Sequence, residues 1–156
     1  MISKNLSKGP VYQGGKKFFS TAIHTPICVI GGGTGGLNVA AQLSRQEGVL
    51  KHHIRIFEPN RFHHYQPGWT MVGGGLVQPG DVVKYTHKLV PKGIALTNNA
   101  VVTIDPEKNL IVTEDGQEYT YEQLVVAAGI VMDWSKIPGS RNQFFTYLCL
   151  HLSRIA

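Results

Sequence analysis

A chain of 156 residues amounts to a single domain. With 42% hydrophobic and 16% charged residues it is globular in composition rather than disordered. The net charge of +5 does not mark a nucleic-acid face, because residues 23–140 hold nine basic residues against ten acidic ones and the excess sits at the two ends. No stretch approaches the roughly 20 consecutive apolar residues of a membrane-spanning helix.

Residues 1–22 are basic and acid-free, with Lys4, Lys8, Lys16 and Lys17 among Ser, Thr and aromatic residues. That composition suits a mitochondrial transit peptide, the alternative being a disordered leader. From Ile23 the texture becomes that of an α/β domain, expected over 23–139. Ile27-Cys28-Val29-Ile30 is a short apolar run that stops at glycines, as a buried parallel strand does. Leu37, Ala40, Ala41 and Leu43 recur at near-helical spacing, with Gly48 as the expected stop. Ile54-Arg55-Ile56-Phe57 reads as the second parallel strand, which completes a βαβ unit.

The segment from Arg61 to Gly80 is turn-rich and aromatic, and residues 82–90 are expected to be helical. Ala100–Ile104, Leu110–Thr113 and Glu118–Tyr121 read as β-strands, the last two joined by a turn at Asp115-Gly116. Leu124-Val125-Val126-Ala127-Ala128-Gly129 reads as a further buried strand with a glycine at its exit. The expected fold class is therefore α/β, a Rossmann-like βαβ domain with a β-hairpin or meander insertion.

The chemistry concentrates at ICVIGGGTGG, which contains Gly31-x-Gly33-x-x-Gly36. Such a motif is weak alone, but here it leaves a strand and opens a helix. The first glycine permits the tight turn, the second lets backbone approach a pyrophosphate, and the third lets helix pack on strand. The helix starting near Thr34 aims free N–H groups and its positive dipole end at a diphosphate. Glu58, at the end of the second strand, is placed to accept hydrogen bonds from the ribose of an adenosine moiety, the bland alternative being a solvated acid. A dinucleotide site follows. The β-rich insertion and the returning LVVAAG strand resemble those of flavoproteins with two dinucleotide-binding domains, and that resemblance implies FAD rather than NAD.

The run EPNRFHHYQPGWTMVGGG, with VIGGGTGGLNVAAQL, VTIDPEKN and QLVVAAGIVMDWSKIPG, resembles sulfide:quinone oxidoreductases of the mitochondrial type over about residues 26–139. The resemblance implies an FAD flavoprotein that oxidises sulfide and passes electrons to ubiquinone, meeting the inner mitochondrial membrane through family parts beyond those matched here. It implies that Thr34 and Gly35 contact the FAD diphosphate and Glu58 the ribose. It further implies that Gln66 faces the cofactor, that Val101 presents its backbone to the adenine, and that Gly129 passes near the flavin.

No metal site and no catalytic residue are assigned. His52 and His53, read on extended backbone, are expected to face solvent. His63 and His64 fall in the loop on the flavin side, where a role is open to them, but the favoured expectation is that they are structural or solvated. Cys28 is expected to be an inert core thiol, and Cys149 lies in residues 140–156, where the resemblance ceases. That tail reads as an alternative or prematurely terminated end, with a docking helix as the competing reading. The family's redox cysteine pair and second dinucleotide-binding domain are expected downstream of what is present here, so the chain alone is expected to be inactive in sulfide oxidation. The competing functional readings are a non-catalytic FAD-binding fragment or interaction module, and an NADH:quinone dehydrogenase-like flavoprotein.

Overall fold

The computed structural model describes residues 22–130. The expected leader, apart from its last residue, and the expected tail at 140–156 fall outside that range. In chain order the elements begin with β1 (Ile23–His24), β2 (Ile27–Ile30), α1 (Thr34–Leu43), a 3₁₀ turn at Lys51–His53 and β3 (Ile54–Phe57). Next come β4 (Phe62–His64), α2 (Gly68–Gly73), α3 (Pro79–Val82), β5 (Val83–Tyr85) and α4 (Thr86–Leu89). Then follow β6 (Ala95–Thr97), β7 (Val101–Asp105), β8 (Leu110–Thr113), β9 (Glu118–Thr120) and β10 (Gln123–Val126). The fold class is the expected one: a Rossmann-like α/β unit carrying a β-meander.

Four strands form an all-parallel sheet in the order β10-β2-β3-β6. The antiparallel meander β7-β8-β9 forms a second sheet, with β1 added in parallel on β9. Successive side chains on a strand point to opposite faces, and the sequence uses both faces. Ile27, Val29, Ile54 and Ile56 face one way and pack with Ala40 of α1 and Ile94. Cys28, Ile30 and Phe57 face the other way and pack on Ile111, Tyr119 and Tyr121 of the meander side. Helix, parallel sheet and meander thus make three layers with an apolar cluster at each junction.

Arg55 sits on the meander-facing side of β3 and is satisfied locally. Its Nη1 donates to Thr97 Oγ1 at 3.0 Å and its Nε to Thr25 Oγ1 at 3.4 Å. Its guanidinium carbon lies 5.4 Å from the Tyr119 ring centroid, within reach of a cation–π attraction.

Several expectations require correction. Residues 82–90 are not one helix: Val83–Tyr85 pairs antiparallel with Phe62–His64, and this pairing divides the segment between α3 and α4. Helix α1 ends at Leu43 rather than at Gly48. Ser44 terminates it, its N–H donating to Ala40 O and its hydroxyl to Ala41 O, while Gly48 shapes a later turn at φ +81°. β10 is not buried. Among the described residues it is an edge strand paired only with β2, and Val126 is 61% exposed. His52 and His53 lie in the 3₁₀ turn rather than on extended backbone, with ring centroids 4.6 Å apart; His52 is exposed and His53 half-buried. No helix among the described residues is long and apolar enough to cross a membrane.

Phe57 is fully buried and packs edge-on against Tyr119 at 4.9 Å between centroids. Truncating it opens a cavity at the junction of sheet and meander. Phe57→Ala is expected to cost about 3–5 kcal/mol, measured by urea denaturation; a loss below about 1 kcal/mol would show that the two layers do not share this core.

Candidate dinucleotide site

The glycine loop joins β2 to α1 at the carboxyl ends of the parallel strands, where open α/β sheets place their ligands. Gly31 has φ +101°, and a Cβ there would stand 2.3 Å from Ala127 O. Both its backbone angle and its neighbour exclude a side chain. A Cβ on Gly36 would stand 1.8 Å from Gly31 O and 3.3 Å from the Val29 side chain, so α1 packs directly on the loop that starts it. Gly33 differs: nothing lies within 4 Å of its Cβ position.

Gly33 is the N-cap of α1, and no side chain caps the helix or places an acid in its first turn. The first intrahelical bond runs from Leu37 N–H to Gly33 O. The N–H groups of Thr34, Gly35 and Gly36 therefore have no acceptor within the helix. Exposed Thr34 and Gly35 present these donors, with the positive end of the helix dipole, to the open space in front of Gly33. That cradle fits a diphosphate.

Glu58 follows β3 directly and reaches back to the loop. Its Oε2 accepts from Gly32 N–H at 2.7 Å and its Oε1 from Asn60 N–H at 2.8 Å. Each oxygen keeps a further lone pair, so ribose hydroxyls can still be accepted. The Glu58 backbone is fixed from β6, with its N–H donating to Thr97 O and its carbonyl accepting from Asn98 Nδ2.

The remaining candidates spread around this centre. Val101 opens β7 a few residues after that contact; it is half-buried and packs against the meander-side cluster, opposite Thr113. Gly129 lies beyond Ala127, whose N–H donates to Ile30 O and whose carbonyl covers Gly31. It is exposed at φ +71° with open space at its Cβ position. Gln66 is exposed in the turn leading into α2. The structure thus gathers Gly31, Gly33, Thr34, Gly35, Gly36 and Glu58 at one place, while Gln66, Val101 and Gly129 stand on three separate segments.

Of the two histidines of β4, His63 reaches the glycine loop while His64 packs on α2. His63 Nδ1 lies 3.3 Å from Gly32 O. His64 stacks on Trp69 at 5.8 Å, and burial, followed by the neighbouring His63, holds its pKa below the usual histidine value. Among the described residues no group of three or more His, Cys, Asp or Glu side chains could hold a metal ion. Cys28 is buried beneath the loop, and burial pushes its thiol up to about 12, against a smaller opposing effect of Arg55.

A family model for pyridine nucleotide-disulphide oxidoreductases matches residues 25–152. The chain is 41% identical over 118 residues to the mitochondrial sulfide:quinone oxidoreductase of Dictyostelium discoideum, covering 76% of this chain and 26% of that protein. Against its counterpart in Mus musculus it is 36% identical over 121 residues, covering 78% of this chain and 26% of the relative. The chain thus spans about a quarter of the length of the curated relatives it matches. In structure it superposes on the sulfide:quinone oxidoreductase of Aquifex aeolicus with a TM-score of 0.67 at 25% identity, covering 86% of this chain and 32% of the other.

Gly36→Ala is expected to destabilise the protein by about 1–3 kcal/mol through overpacking. Gly33→Ala should stay within about 1 kcal/mol of the parent, because its φ of −70° suits alanine and the space is open. Thermal melts of the two variants check the contrast, and equal losses would refute this packing of the loop. For Cys28 the raised pKa means that the native thiol stays protonated where an unfolded one ionises. Its contribution to stability is complete below about pH 9 and is lost as pH rises toward about 12. Alkylation of Cys28 by iodoacetamide at pH 9, followed by mass spectrometry, should be slow in native protein and fast in urea; equal rates would contradict its burial.

Proposed function

The chain belongs to the pyridine nucleotide-disulphide oxidoreductase family, and from that premise we propose that residues 22–130 bind the adenosine diphosphate half of FAD. The observation that carries this reading is the open space over Gly33 in front of uncapped helix donors, beside a loop whose other contacts are closed by protein atoms. Thr34 and Gly35 would hold the diphosphate through their N–H groups, and Glu58 would accept from the ribose. Val101 would offer backbone to the adenine, while Gln66 and Gly129 would line the path toward the flavin. Bound FAD would supply a two-electron acceptor.

The activity we propose for the lineage is sulfide:quinone oxidoreduction, supported by the relatives from Dictyostelium discoideum and Mus musculus, whose names also support a mitochondrial address. Sulfide and ubiquinone would be the substrates, at the inner membrane. Residues 22–130 would serve that reaction by holding and orienting the cofactor, not by sulfur chemistry. A protein dithiol step needs two accessible thiols. The 156 residues contain only Cys28 and Cys149, and Cys28 is buried with its thiol held protonated. On this reading the chain alone would not oxidise sulfide.

The test is the visible absorbance spectrum of the purified chain supplied with FAD. Bound flavin bands are expected, and Gly33→Val, which places a branched side chain in the cradle, should reduce retained flavin at least tenfold while leaving the thermal melt of the flavin-free protein within a few degrees. Absence of flavin uptake by the parent chain would refute the cofactor assignment. Sulfide-dependent quinone reduction by this chain alone would refute the division of labour.

A further inference from the structure

Gly32, the middle residue of the first glycine triplet, is held on every side. A Cβ on it would stand 2.8 Å from both Cβ and Cγ of Glu58, so the residue has room only as glycine. Its N–H donates to Glu58 Oε2 at 2.7 Å. Its carbonyl meets His63 Nδ1 at 3.3 Å. A carbonyl oxygen only accepts, so the ring nitrogen must carry the proton, a condition met by both the neutral Nδ1–H tautomer and the imidazolium. His63 is itself anchored in β4, opposite Lys84 of β5, and its neighbour His64 is stacked on Trp69.

The consequence follows from peptide geometry. The Gly32 carbonyl and the Gly33 N–H belong to one planar trans peptide and point in opposite directions. A donor that fixes the carbonyl therefore fixes the direction of the Gly33 N–H, the backbone donor that precedes those of Thr34 and Gly35 at the mouth of α1. We propose that His63 is a positioning residue for the dinucleotide loop: by donating to the Gly32 carbonyl it orients the Gly32–Gly33 peptide for the cofactor diphosphate. Glu58 and His63 together form a two-sided clamp on Gly32, and the clamp ties the aromatic segment after β3 to the phosphate cradle. The link to the cofactor rests on the FAD reading above; the clamp itself does not.

The experiment compares His63→Leu with His63→Asn in the full 156-residue chain, stripped of flavin and titrated with FAD. Asparagine places its side-chain Nδ2 near the position of the imidazole Nδ1 and can still donate, whereas leucine cannot. His63→Leu is expected to weaken FAD binding about three- to tenfold, the scale of one lost hydrogen bond. His63→Asn is expected to stay within about twofold of the parent, a rescue that a purely space-filling role would not give. Equal affinities for the two variants, whether unchanged or weakened together, would overturn the proposal. Should His63→Leu fail to fold, His63→Gln, whose amide lies one methylene further out, replaces it with the same expectation. Hydrogen exchange at the Gly32 and Gly33 amides, measured without FAD, separates the two readings. If the parent takes up no FAD, the cofactor reading falls and exchange alone decides the clamp: faster exchange in the leucine than in the asparagine variant supports it, and equal exchange overturns it.

Discussion

Two segments far apart in sequence run side by side through the structure, and the site depends on that pairing. Ile23–His24 pairs with Tyr119–Thr120 and Ile27–Ile30 with Gln123–Val126, both parallel and both in the same register, offset by 96 residues. Between the two stretches, Pro26 has no N–H to contribute to a ladder, and its carbonyl accepts from both Glu122 and Gln123. The paired segments pass from the meander sheet to the parallel sheet at that point, so one register governs both layers. A slip of one residue would turn Cys28 and Ile30 toward the helix and Ile27 and Val29 toward the meander, exchanging the two apolar clusters.

The same register brings Ala127 over Gly31. The last strand hands its chain on at Ala127, whose N–H bonds Ile30 O and whose carbonyl lies where a Gly31 side chain would be. The loop is then closed on three sides: by Ala127 above Gly31, by the start of α1 at Gly36, and by Glu58 against Gly32. Only the side of Gly33 remains open. The opening exists because α1 begins without a capping side chain or an acid in its first turn, so its donors are left for a ligand.

Rigidity and chemistry are separated in this arrangement. The parallel strands and the meander bury most of their apolar side chains in two clusters, and the one described cysteine is locked among them, its burial holding the thiol's pKa well above the usual value. The groups offered to a ligand lie at strand ends or in the turns beyond them: the loop after β2, Glu58 after β3, Gln66 after β4, the turn after β6 and the exit of β10. Arg55, a cation between layers, is absorbed by two threonine hydroxyls and the face of Tyr119. It shapes the core and not the site.

The sequence by itself determined the βαβ unit, the glycine motif, Glu58 and the meander strands, because these rest on local patterns: apolar runs of strand length, helical spacing, and glycines where a Cβ cannot fit. It also pointed to the family through short strings that need no tertiary information. Tertiary structure decided what local pattern leaves open. Ala95–Thr97 is too short to stand out as a strand and becomes one only by pairing with β3. Val83–Tyr85 leaves the helical state because Phe62–His64 offers it a partner. β10 reads as buried from its apolar residues, yet its burial depends on neighbours that composition cannot specify. His63 is the sharpest case: its place in the loop after β3 left a role open without naming one, and the contact with Gly32 arises only when β4 turns back toward the loop 31 residues earlier in the chain. Such contacts are set by the register of strands distant in sequence, and that register is a property of the packed whole.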